Sequence, residues 1–162
     1  MNRHIRRALA ALAATAAIIG TTATPGAAAY PYYKVVNRHS NQCLEIAGGS
    51  SESGWWAQQW PCFGGEHQIW RIPLFTSVRQ IVVRHTGFCL TALGGYAFQM
   101  PCNGTVNQNW DKTLLPGTVG IYEFRSALNG HCLQVENRST VEGELVGLAT
   151  CTGAACQQWQ LL

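Results

Sequence analysis

The chain has 162 residues, with 11 Lys and Arg against 8 Asp and Glu, and it carries seven cysteines. Three of the basic residues, Arg3, Arg6 and Arg7, stand at the extreme N-terminus, and beyond them eight basic side chains balance eight acidic ones. A nucleic-acid partner is excluded, because it needs a clustered basic surface to neutralise phosphates and the remaining Lys and Arg are scattered singly from Lys34 to Arg138.

In chain order, the basic start is followed by an apolar run over residues 8–20 and by the small residues Ala27, Ala28 and Ala29. This is the pattern of a signal peptide over residues 1–29, with Tyr30 as the mature start and secretion as the destination. The apolar run falls short of the about 20 residues a bilayer requires, and none like it follows, so no membrane anchor is expected. Residues 30–162 suit one domain. In an oxidising compartment the cysteines are expected to pair, and an odd count leaves one over.

The mature chain then repeats itself three times. Gln68-Ile69-Trp70, Gln108-Asn109-Trp110 and Gln157-Gln158-Trp159 close three segments, over about 32–73, 77–115 and 120–162. Upstream of each stands a second shared mark, Cys43-Leu44-Glu45-Ile46, Cys89-Leu90-Thr91-Ala92 and Cys132-Leu133-Gln134-Val135, and between the two marks lies a further cysteine, Cys62, Cys102 or Cys151. The first copy reads as short strands over 33–36, 43–47, 57–62 and 68–72 separated by turns, and no segment has convincing helical periodicity. Alternation puts Leu44, Leu90 and Leu133 on one face, and Gly48-Gly49, Gly94-Gly95 and Asn129-Gly130 supply turns. Four strands in each of three copies predict an all-β chain, a β-trefoil with pseudo-threefold symmetry, whose closure leaves few open edges.

The three Trp residues are expected in a shared core, since equivalent rings converge on the axis, and the Gln of each Gln-x-Trp can brace the turn beside them. The repeat pairs Cys43 with Cys62, Cys89 with Cys102 and Cys132 with Cys151, although sequence alone leaves other connectivities open. Cys156 is then the unpaired thiol, either buried and inert or exposed and able to link two molecules.

Taken together, the triple Gln-x-Trp, the Cys-Leu pairs and the loop cysteines resemble the ricin B-chain lectin family over the whole mature chain. The resemblance implies a β-trefoil with one shallow sugar pocket per copy, built from an acid after Cys-Leu, an aromatic ring before the second cysteine, and Asn-Gln before the last x-Trp. Carried onto the first copy, Glu45 takes the acid position, Gln58 and Trp60 lie on the strand before Cys62, and His67-Gln68 fills the Asn-Gln slot. The chemistry is coherent: a pyranose packs one C–H face on an indole, and its hydroxyls require fixed donors and acceptors. Asp111 is the only aspartate in the chain, so Glu45 replaces the usual acid with a side chain one methylene longer.

The other copies depart further. The second keeps Asn107-Gln108 but has Thr91 for the acid and Met100 for the ring, with Tyr96 and Phe98 read either as packing in the core or rim or as a substitute ring, and the third has Gln134, Ala149 and Cys156 at the three positions. One working carbohydrate site in the first copy is therefore expected, with a protein-binding, toxin-targeting or inhibitory trefoil as the alternative because fold does not fix function. No enzyme is expected: Glu142 and Glu144, two carboxylates at alternate positions of a strand, read as a solvated face, and no catalytic triad is visible. Cys151 and Cys156 lack a second ligand pair, so no metal or other cofactor is expected.

Overall fold

The computed structural model describes residues 31–75 and 79–162, so the signal-peptide expectation lies outside the described residues. Twelve strands follow in order: β1 Tyr32–Asn37, β2 Cys43–Ile46, β3 Trp55–Trp60, β4 Ile69–Arg71, β5 Val82–Val83, β6 Cys89–Leu93, β7 Tyr96–Met100, β8 Trp110–Leu114, β9 Ile121–Ser126, β10 Cys132–Val135, β11 Val146–Ala149 and β12 Trp159–Leu161. No α-helix occurs among the described residues, only five short 3-10 turns.

Six strands form a closed ring. β1 pairs with β4 and β12, β4 with β5, and β9 with both β8 and β12. The Trp110 amide donates to the Arg79 carbonyl at 3.0 Å and completes the circuit between the β5 and β8 sides. The hairpins β2–β3, β6–β7 and β10–β11 cap one end, held together by β3–β7 and β7–β11 pairing and by a Gln58–Leu145 bridge. This is the trefoil arrangement. Gly94 and Gly95 both take positive φ, 59° and 88°, which gives β6 and β7 the two-residue turn whose twist matches a hairpin.

The core repeats one hydrogen bond three times. Trp70, Trp110 and Trp159 are fully buried, and each indole N–H donates to the carbonyl of the Leu after the first cysteine: Trp70 to Leu44 at 2.9 Å, Trp110 to Leu90 at 2.9 Å, Trp159 to Leu133 at 3.0 Å. A buried indole thus places its polar atom as well as its area, which ties the end of each copy to its beginning. The disulfides join Cys43 to Cys62, Cys89 to Cys102 and Cys132 to Cys151.

Three local expectations are corrected. β3 begins at Trp55 and stops at Trp60, because Pro61 has no N–H to continue a ladder. Gln68 lies in the 3-10 turn Glu66–Gln68 and not in a strand, its side chain being engaged with the loop before it. Glu142 and Glu144 flank Gly143 in the turn before β11, where Gly143 has a φ of 81°, so they do not alternate along a strand.

Candidate carbohydrate-binding site

Strand register assembles the first-copy residues. Cys43 faces Trp60 and Glu45 faces Gln58 across the β2–β3 pair. Alternation sends Ala57 and Gln59 inward, where both are fully buried, and leaves Trp56, Gln58 and Trp60 on the outward face. Trp60 is 36% exposed, and the backbone at Gly143, from the third copy, lies against the edge of its ring: a Cβ there would come within 3.4 Å of the indole. The indole therefore stands beside the first disulfide with surface open to solvent.

Glu45 forms the floor. Its side chain is only 3% exposed, and its two carboxylate oxygens accept from Gln58 Nε2 and Gln68 Nε2, both at 2.8 Å, with His67 Nε2 3.5 Å from Oε2. The carboxylate is thus fixed in place by two amides and nearly closed to solvent. Truncation by Glu45→Ala would strand two amide donors at a buried site; we expect a loss of about 1–3 kcal/mol, read as a lower urea midpoint. His67 is half-buried on the rim, tilted against the exposed ring of Phe63 at 5.4 Å between centroids, and edge-on to His85 at 6.0 Å.

Of its two expected roles, brace and ligand contact, Gln68 takes the geometry of the brace. It is fully buried; its Nε2 donates to Glu45 and to the Pro61 carbonyl, and its Oε1 accepts from the amides of Phe63 and Gly64. The same brace recurs. Gln108 donates to Thr91 Oγ1 and the Pro101 carbonyl, and Gln157 donates to Gln134 Oε1 and the Thr150 carbonyl. This glutamine thus ties the disulfide loop to the acid position in every copy, whether or not an acid is present.

The second copy keeps the brace and loses the pocket chemistry. The Thr91 hydroxyl donates to the Cys89 carbonyl and accepts from Gln108, while Asn107 donates to the Ala92 carbonyl and accepts from Thr105. Met100 stands where Trp60 stands in the first copy, and Phe98 faces Thr91 as Gln58 faces Glu45. Tyr96 faces Gly147 of the third copy and Phe98 faces Trp56 of the first, so both rings border neighbouring copies.

A cavity of about 520 Å³ opens in the third copy, lined among others by Gln134, Glu136, Arg138, Ala149, Cys156 and Gln157. Its origin is subtraction. Ala149 and Gly147 replace the positions of Trp60 and Gln58, and the Glu136 carboxylate leans into the space over Gly147. The cleft thus opens where the ring that would define a sugar platform is missing. Cys156 is unpaired and buried in its wall, with its thiol pKa raised by burial. We expect iodoacetamide to label Cys156 at least ten times more slowly in the native than in the urea-unfolded protein, because the thiolate is the nucleophile. The folded state holds this proton where the unfolded chain releases it, so this group's contribution to stability falls as pH rises past the ordinary thiol range.

Among the described residues no group of three or more His, Cys, Asp or Glu could hold a metal ion, and no helix is long and apolar enough to cross a membrane. Phe63 and Gly143 escaped the sequence reading. Phe63 directly follows Cys62, a position outside any shared signature, and Gly143 reaches Trp60 only through the association of the third copy with the first.

The model of the ricin-type beta-trefoil lectin domain-like family matches residues 22–99 and 106–162. Among solved structures, the chain is similar to ThreeFoil, a designed threefold-symmetric protein, at 32% identity and TM-score 0.75, covering 81% of this chain and 97% of that one. It is also similar to part of an exo-beta-1,3-galactanase from Clostridium thermocellum, at 27% identity and TM-score 0.74 over 81% of this chain and 30% of the enzyme. A ricin B-like lectin of Macrolepiota procera, solved with lactose, shares the fold at 15% identity and TM-score 0.69, covering 82% of this chain and 94% of the lectin. The chain belongs to the ricin-type β-trefoil lectin domain-like family.

Proposed function

We propose that this protein is an exported carbohydrate-binding module with one working sugar site, in the first copy, and no catalytic role of its own. The observation that carries this reading is the partly exposed Trp60 ring on the same face of the β2–β3 pair as a carboxylate that Gln58 and Gln68 hold in place. Trp60 supplies the flat apolar face, and Glu45, Gln58 and His67 supply the polar edge. Gln68 acts one step back, as the brace that positions Glu45. Export is supported by the N-terminal signal pattern and by three disulfides, which persist in oxidising compartments.

One shallow site should bind in the sub-millimolar to millimolar range, roughly −4 to −6 kcal/mol, without avidity. Galactose-containing probes are the natural first choice, given the galactanase and the lactose-bound lectin among the similar structures. A glycan array followed by calorimetry with lactose and β-1,3-linked galactose oligosaccharides tests the reading. Silence across a broad array would remove it. The loss of ring and acid in the second and third copies favours a second reading, a trefoil that binds a protein through the inherited scaffold. Array silence together with a protein recovered from the native medium would select that reading.

A further inference from the structure

The outward face of β3 does not end at Trp60. Trp56 lies four residues earlier on the same face and is 39% exposed, with its ring stacked on Trp55 at 4.5 Å between centroids and 16° between planes. Trp55 in turn packs against the core, so the Trp56 indole is backed by a fixed ring and does not swing free. Across the β3–β7 pair Trp56 stands opposite Phe98, itself half-buried. Between the two indoles lies Gln58, whose amide nitrogen is tied to Glu45 and whose backbone bridges to Leu145.

Two neighbouring exposed rings leave apolar area in water, and covering it on binding is favourable. Two candidate occupants are a second protein copy and the continuation of a ligand already seated on Trp60. The chemistry of the strip favours the ligand. It joins the Trp60 platform along one strand without a break, and its outward positions alternate ring, amide and ring, the pattern that offers stacking faces and hydroxyl partners in turn. Of those outward positions, on β2, β3 and β7, none carries a lysine, an arginine or an exposed carboxylate, so the strip suits an uncharged chain. Four residues of strand span about 13 Å, wider than one pyranose, so the two indoles would serve different units of one chain.

We propose that Trp56, flanked by Phe98, is a second stacking subsite that extends the Trp60 site, and that the protein's ligand is a neutral oligosaccharide chain and not a single terminal sugar. The proposal rests on the reading of the first copy as a sugar site. Trp60, with Glu45 on the same face of the β2–β3 pair, fixes one unit; the chain runs along β3 past Gln58; and a later unit lays its C–H face on Trp56.

Calorimetry with β-1,3-linked galactose oligosaccharides of one to four units tests this in native, Trp56→Ala, Phe98→Ala and Trp60→Ala proteins. Native affinity should rise about tenfold from the disaccharide to the tetrasaccharide, the scale of one added aromatic stack. Trp56→Ala should bind the monosaccharide as the native protein does while losing the gain with length, and Phe98→Ala should lose part of it. Phe98→Ala leaves the Trp55–Trp56 stack intact and keeps the test alive should Trp56→Ala fail to fold. Native affinity independent of length, or a length gain that survives both Trp56→Ala and Phe98→Ala, overturns the subsite and leaves the Trp60 site standing. Trp60→Ala that still binds the monosaccharide, or a native protein that binds neither this series nor any glycan of the broad array, overturns the first-copy reading and the subsite with it. Sedimentation that finds a native dimer split by Trp56→Ala, with no length dependence in either, assigns the strip to a second copy and also overturns the proposal.

Discussion

On the proposed first-copy site, Trp60→Ala should weaken binding of the glycan that the native protein takes from an array by at least about thirtyfold, which at millimolar affinity leaves no measurable heat, while lowering the melting temperature by a few degrees at most. The first part follows from the role of the ring. An aromatic anchor at the centre of a small contact is worth about 2 kcal/mol or more on truncation, and the polar groups around it cannot hold a sugar without the face it packs on. The second part follows from placement. Trp60 is 36% exposed, on the last residue of a strand, and its neighbour Gly143 has no side chain to lose a partner. The packing lost is on the order of 1 kcal/mol, against a frame held by three disulfides and a separate core. Trp60→Phe, which keeps a flat face of smaller area, should retain weakened binding. Unchanged affinity in Trp60→Ala, measured by calorimetry beside a thermal melt, would end the first-copy assignment.

Trp70→Ala should do the reverse and damage the fold before anything else. The ring is fully buried, and removing it costs about 3–5 kcal/mol in lost area and residual cavity. The Leu44 carbonyl also loses its 2.9 Å partner, which adds a further penalty of about 1–3 kcal/mol if no water reaches it. Domains of this kind are stable by about 5–15 kcal/mol, so the variant should sit near its unfolding threshold. Trp110→Ala and Trp159→Ala should lose similar amounts, since each makes the same hydrogen bond in its own copy. Urea midpoints with the disulfides intact measure all three. A loss below about 1 kcal/mol in any one would show that the three copies do not share the load as their geometry implies.

The repeated marks made the fold legible because each names a structural act that must occur three times. The Trp of Gln-x-Trp fills the axis and the Leu after the first cysteine receives its hydrogen bond, so the pattern of the chain is the pattern of the core. Gln68 carried two readings in the sequence, a brace for the turn and a ligand contact in the first copy. A glutamine shared by three copies reads as ligand-facing when one copy carries a candidate site, yet its recurrence beside Thr91 and Gln134, where no acid stands, marks it as scaffold. Cys156 posed a choice between a buried and a linking thiol, and burial in the third-copy wall decided it.

By itself the sequence determined the trefoil, through three copies of the same marks, and named the residues of the first copy that stand near one another, while the structure fixed the disulfide pairs and the register of β2 against β3. Only the tertiary structure decided what lies between copies: Gly143 at the edge of Trp60, Trp56 beside Phe98, and a cleft where the third copy lost its side chains. The reason is physical. Contacts inside one copy are set by local spacing, whereas contacts between copies depend on how three hairpins twist together around the axis, and no single stretch of chain encodes that.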